Sequence, residues 1–111
     1  STNLLKWLPC TSSLNIPTYN LLGVDLMDEL KIDDVRPEVK NFAIAMEKRL
    51  RKNDFKGGWR KEELAYFVIK IIKHSHQLHN DIVYKELYYS IIDCIDISNY
   101  CMMLYDNLEN F

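Results

Sequence analysis

Three stretches of this chain carry apolar residues at a spacing that a helix gathers onto one side. In the first, DDVRPEVKNFAIAMEKRLRKN, Val39, Phe42, Ala43, Met46 and Leu50 recur every three or four residues. Asp33 and Asp34 are candidate caps, and Pro37 suits a first helical turn. Arg49, Arg51 and Lys52 complement the negative end of the helix dipole. The second stretch, KEELAYFVIKIIKHSHQLH, sets Leu64, Phe67, Val68, Ile71, Ser75 and Leu78 on one side, with His74 at its edge and Gln77 farther round. Glu62 and Glu63 are expected in its first turn, where the dipole favours acids. The third, DIVYKELYYSIIDCIDISNYCMMLYDNL, is apolar on two sides. Its main stripe is Tyr84, Leu87, Tyr88, Ile91, Cys94, Ile95, Ser98, Met102 and Tyr105, and the opposite side carries Tyr89, Ile92, Ile97, Tyr100, Met103 and Leu104. A helix apolar nearly all round is buried on both sides. In a chain this short, one side is expected to pack within the bundle and the other on a second copy, as a dimer or tetramer.

These patterns predict an all-α fold of three main helices, with residues 1–34 as an irregular arm and 35–111 as the helical domain. Within the arm, TYNLLGVDLMDEL is a candidate short helix, and Pro9, Pro17 and Gly23 interrupt it. Three glycines and three prolines in 111 residues leave little room for the turns of an all-β fold. Hydrophobic content of 48% and charged content of 27% are those of a globular domain. A net charge of −2 gives no general attraction to duplex nucleic acid or an anionic membrane. No apolar run approaches the ~18 residues of a membrane span, and no signal peptide is visible. Three cysteines without a CxxC spacing are expected to be reduced core thiols of an intracellular, cytoplasmic protein, with Cys94 and Cys101 on an apolar stripe.

Two features ask for chemistry. Asp93 and Asp96 lie three apart on the second apolar side of the third helix. Buried together, they must lose a charge, pair with a basic side chain, or hold a divalent cation, and hard oxygen ligands suit Mg²⁺ or Mn²⁺. Asn99, one turn on, offers a further oxygen. The second feature is the loop NDFKGGWRKEEL, which places a glycine pair and a tryptophan between two helices. The histidines of KHSHQLH lack a fixed zinc spacing. His76 is expected to face solvent and His79 to lie near the C-terminal end of its helix, where the dipole favours a cation.

The run FAIAMEKRLRKNDFKGGWR, a following helix, and DCIDISNYCMMLYDNL together resemble the all-α nucleoside triphosphate pyrophosphohydrolases of the MazG type, over roughly Val35 to Leu108. Lys56, Gly57, Gly58 and Trp59 match the family's lysine–glycine–tryptophan loop, and Asn53 matches a polar position before it. Asp96 to Asn99 match the D-x-x-N end of the third-helix motif, with Asp93 standing where the family has glutamate. The second-helix E-x-x-E positions fall on His74 and Gln77, and Lys73 stands where a preceding glutamate often sits. The resemblance implies a MazG-like bundle, a nucleoside triphosphate ligand and, in an active enzyme, Mg²⁺ or Mn²⁺ on Asp93 and Asp96, with Glu86, Asn99 and His74 as further candidate ligands. It implies substrate contacts from Asn53, Lys56, Gly57, Gly58, Trp59, Arg60, Lys73 and Gln77. Loss of the second-helix carboxylates removes ligands that would activate water. The expected function is therefore nucleotide binding with weak or lost hydrolysis. An active metal-dependent pyrophosphohydrolase using Asp93 and Asp96 is the first alternative, and a helical protein-interaction or regulatory subunit is the second.

Overall fold

The computed structural model describes residues 29–111. Cys10 and most of TYNLLGVDLMDEL lie outside them. The described residues form helices and turns with no strand: a 3-10 turn at Ile32–Asp34, then α1 (Pro37–Lys52), α2 (Leu64–Val83) and α3 (Leu87–Glu109), with a second 3-10 turn at Asp54–Lys56 between α1 and α2. The all-helical, three-helix expectation matches this part of the chain. The helical unit begins at Arg36.

The start of α1 differs from the expected capping by Asp33 or Asp34. The N-cap is Arg36 in extended geometry, and Pro37 opens the helix. Proline disfavours helical geometry in the residue before it, so the helix cannot reach back to the aspartates. They belong instead to the separate 3-10 turn, where the Lys31 backbone N–H donates to the Asp34 carboxylate at 3.2 Å. At the other end of α1, Asn53 closes the helix by donating its side-chain amide to the Arg49 carbonyl at 3.1 Å.

The boundary between the second and third helices also moves. α2 runs past His79 to Val83, and α3 begins only at Leu87. Glu63 is the N-cap of α2 and Glu62 lies in the turn before it, so neither sits within the first turn. His79 is correspondingly not in the last turn. The reversal spans Tyr84 to Glu86. The Glu86 N–H donates to the Asp81 carbonyl at 2.8 Å and the Lys85 N–H to the Ile82 carbonyl at 3.1 Å, the pairing of a Schellman cap. That motif needs a left-handed residue, and Lys85 supplies it at φ 59°. No glycine marks the position, so the sequence pattern carried no stop signal there. Asp81 is thereby moved from the start of the third helix to the end of the second.

α3 packs along α2 and also against α1, while α1 and α2 do not pack on each other. The short reversal makes α2 and α3 antiparallel, in a register that stacks His74 on Tyr100 with ring centres 5.3 Å apart. Phe67 is fully buried, with Tyr66 edge-on to it at 5.3 Å. The side of α3 that enters the bundle carries Ser90, Asp93 and Asn99, all buried. Of the main apolar stripe, Ile95 is buried in the core, while Leu87, Tyr88, Ile91 and Tyr105 face outward, each at least 60% exposed. Cys94 and Cys101 are free and exposed, contrary to the expected core thiols. α3 gives its polar side to the bundle because hydrogen bonds and ion pairs to α1 and α2 satisfy those groups there.

Candidate functional site

Because α1 and α2 stand apart on α3, a cleft of about 350 Å³ opens between them. The end of α1 supplies Arg49, Leu50 and Asn53. The loop supplies Asp54, Lys56, Gly57, Gly58 and Trp59. Glu62 and the α2 residues Tyr66, Phe67 and His74 form a second wall, and α3 closes it with Asp96, Asn99, Tyr100 and Met103. Of the sequence-selected residues, Asn53, Lys56, Gly57, Gly58, Trp59, His74, Asp96 and Asn99 thus share one cleft. Arg60, Lys73, Gln77, Glu86 and Asp93 do not line it.

The loop's geometry follows from its glycines and from anchors on α3. Gly57 has φ 91° and ψ 179°, a backbone region open essentially to glycine alone. Its N–H is committed to the Asp54 carbonyl at 3.1 Å, so it cannot also meet a phosphate. The Trp59 indole N–H donates to the Asp106 carboxylate at 3.0 Å, and Asn107 donates to the Trp59 carbonyl at 3.1 Å. Arg60 pairs with Asp106 at 3.2 Å, which directs it away from the cleft. Trp59 is therefore a fixed, half-buried wall. Asp106 and Asn107 lay outside the sequence-selected set because nothing local to them signals a partner 47 or 48 residues away.

Asp96 and Asp93 have different partners. Arg49 grips Asp96 with both arms of its fork, Nε to Oδ1 at 2.9 Å and Nη2 to Oδ2 at 3.2 Å. That hydrogen bond holds the guanidinium above its ordinary value. Asp93 is 7% exposed and faces Asp81 of α2. Burial, then a hydrogen bond to Asp81 and repulsion from Asp81 and Asp96, push Asp93 up to about 6. Its Oδ2 has no hydrogen-bond partner among the described residues. Asp81 was not foreseen as its neighbour, since the pattern had assigned it to the other helix. Glu86 is exposed and caps α3, its carbonyl accepting from both the N–H and the hydroxyl of Ser90.

Three more groups shape the cleft floor. Asn99, 4% exposed, donates Nδ2 to the Met46 carbonyl at 3.2 Å, which fixes its orientation and leaves Oδ1 without a partner. Burial lowers His74 from its ordinary value, Lys73, Lys70 and Arg49 lower it further, and Asp96 opposes them. The result is a neutral imidazole whose Nδ1 is also unpaired. Burial, with Tyr66 and Asp96 nearby, raises Tyr100 and keeps its phenol neutral.

These residues fit a resident Mg²⁺ or Mn²⁺ poorly. Both Asp96 oxygens are taken by Arg49, and Asp93 is turned to Asp81 in a site that favours its protonated form. Among the described residues, no three His, Cys, Asp or Glu side chains converge in a way that could hold a metal ion. The chain matches no family profile, no curated protein and no solved structure.

Proposed function

We propose that this chain is a divergent MazG-like protein that binds a nucleotide in the cleft between α1 and α2, with triphosphate hydrolysis weak or lost. The observation that carries the reading is the convergence of the glycine–tryptophan loop with Asp96 and Asn99, some 40 residues apart in sequence, on one aromatic-walled cleft. Tyr66, Tyr100, His74 and Trp59 offer faces or edges for a base. Lys56 and the Gly58 N–H stand at the loop for a phosphate oxygen. Arg49 occupies the electrostatic position that a cation on Asp96 would fill. It supplies charge but no bound hydroxide, so no step is routed through a metal.

The proposal includes self-association. The outward stripe of Leu87, Tyr88, Ile91 and Tyr105 is the surface we assign to a second copy of the chain. Sedimentation should give a dimer or tetramer, and Ile91→Lys should shift it toward monomer.

The test of binding uses a Trp7→Phe background, leaving Trp59 as the only tryptophan. Its emission should change on adding nucleotide in EDTA, and pyrophosphate release should be negligible with Mg²⁺ or Mn²⁺. Metal-dependent turnover abolished by Asp96→Ala would instead establish the active enzyme.

A further inference from the structure

We infer that the cleft takes the nucleoside end of its ligand inward, and that a single phosphate at the loop suffices for recognition. This rests on the nucleotide-binding reading above and specifies its ligand class: nucleosides and nucleoside monophosphates, with no preference for triphosphates.

The charges lining the cleft are two cations, Arg49 and Lys56, against three carboxylates, Asp54, Glu62 and Asp96. Arg49 is already matched to Asp96. Freeing it for a phosphate would strand Asp96, whose side chain is only 17% exposed. Gly57 has no free N–H to offer. What remains for an anion is the Lys56 ammonium and the Gly58 N–H, enough for one phosphate group. A triphosphate would bring its further charges up to Asp54 and Glu62 with no further cation lining the cleft to meet them.

The floor has the opposite need. Asn99 Oδ1 is a buried acceptor with no donor among the described residues, and its Nδ2 is committed to the Met46 carbonyl. An ionised phosphate only accepts hydrogen bonds, so it cannot satisfy this atom. A base amino or imino group, or a ribose hydroxyl, can. The unpaired Nδ1 of the neutral His74 takes either polarity by choice of tautomer. The stacked His74 and Tyr100 rings, with Tyr66 6.5 Å from Tyr100, supply aromatic surface in the same cleft.

Calorimetric titration in EDTA tests this with the nucleoside, monophosphate and triphosphate of each base, and with inorganic tripolyphosphate. Within the preferred base, the first phosphate should tighten binding by about tenfold, one charge-assisted contact, and the next two should change it by less than about threefold. Lys56→Ala should abolish the step between nucleoside and monophosphate. Asn99→Leu should remove nucleoside binding, and circular dichroism of that variant reports whether it folds. A triphosphate binding about 100-fold tighter than the monophosphate, or full competition by tripolyphosphate alone, would overturn the inward-nucleoside inference and leave nucleotide binding standing. Failure of every nucleoside and nucleotide to bind the folded wild-type chain would overturn the nucleotide reading itself.

Discussion

Asp93 and Asp96 are one turn apart on the same side of α3, yet they sit in two different kinds of place. Asp96 faces the open end of the bundle, where α1 and the glycine loop stand clear of α2, and the Arg49 guanidinium pairs with it. Asp93 faces the closed end, where α2 turns into α3 and its neighbour on α2 is another acid, Asp81. The same side chain is an ion-pair partner at one end and a core group with raised proton affinity at the other. Spacing alone makes the two look like a matched pair of metal ligands. The elements that pack against each of them separate their roles.

The largest expected effect breaks the open end. Arg49→Met should destabilise the fold by about 3 kcal/mol, because it leaves Asp96 without its partner. Chemical denaturation should show that loss, and adding Asp96→Asn should restore part of it. Gly57→Ala comes next, at about 2 kcal/mol. An added Cβ meets nothing within 4 Å, so the cost is the backbone geometry alone. That variant should also weaken nucleotide binding, since the loop is the cleft's rim.

At the closed end the signature is pH dependence. Asp93 has a folded-state value of about 6, above the ordinary 3.8. Between those values the unfolded chain has released the proton and the folded chain still holds it. The stabilising contribution is therefore complete below about pH 4, is lost as pH rises toward 6, and changes little above that. Asp93→Asn should flatten the window by roughly 3 kcal/mol, as read from denaturation midpoints across pH. Asp96→Asn should flatten it only slightly, since Asp96 is the smallest of the causes that raise Asp93. The smallest effect is a gain. Lys85→Gly should stabilise by about 0.5 to 1 kcal/mol, because glycine accepts the left-handed turn that lysine now adopts.

The sequence made the helices and half of the cleft lining legible, since Val39 to Leu50 and Leu64 to Leu78 keep helical spacing and the loop announces itself by Gly57, Gly58 and Trp59. It misassigned the closed end because Lys85 does a glycine's work, so Asp81 was placed on the wrong helix. It also could not tell which side of α3 faces inward. Both sides are apolar, and the inward one is selected by long-range bonds: Asn99 to Met46, Arg49 to Asp96, and Trp59 to Asp106. Partners about 50 residues apart leave no local periodicity to read.

The most direct test of the account is a site-resolved NMR titration of the wild-type chain with a nucleoside monophosphate in EDTA. The account predicts saturable shifts at the Trp59 indole N–H, the Asn99 side-chain amide and the Gly58 amide, with Asp81 and Asp93 unmoved. Shifts confined to the Asp81–Asp93 end, or none at saturating ligand, would contradict it.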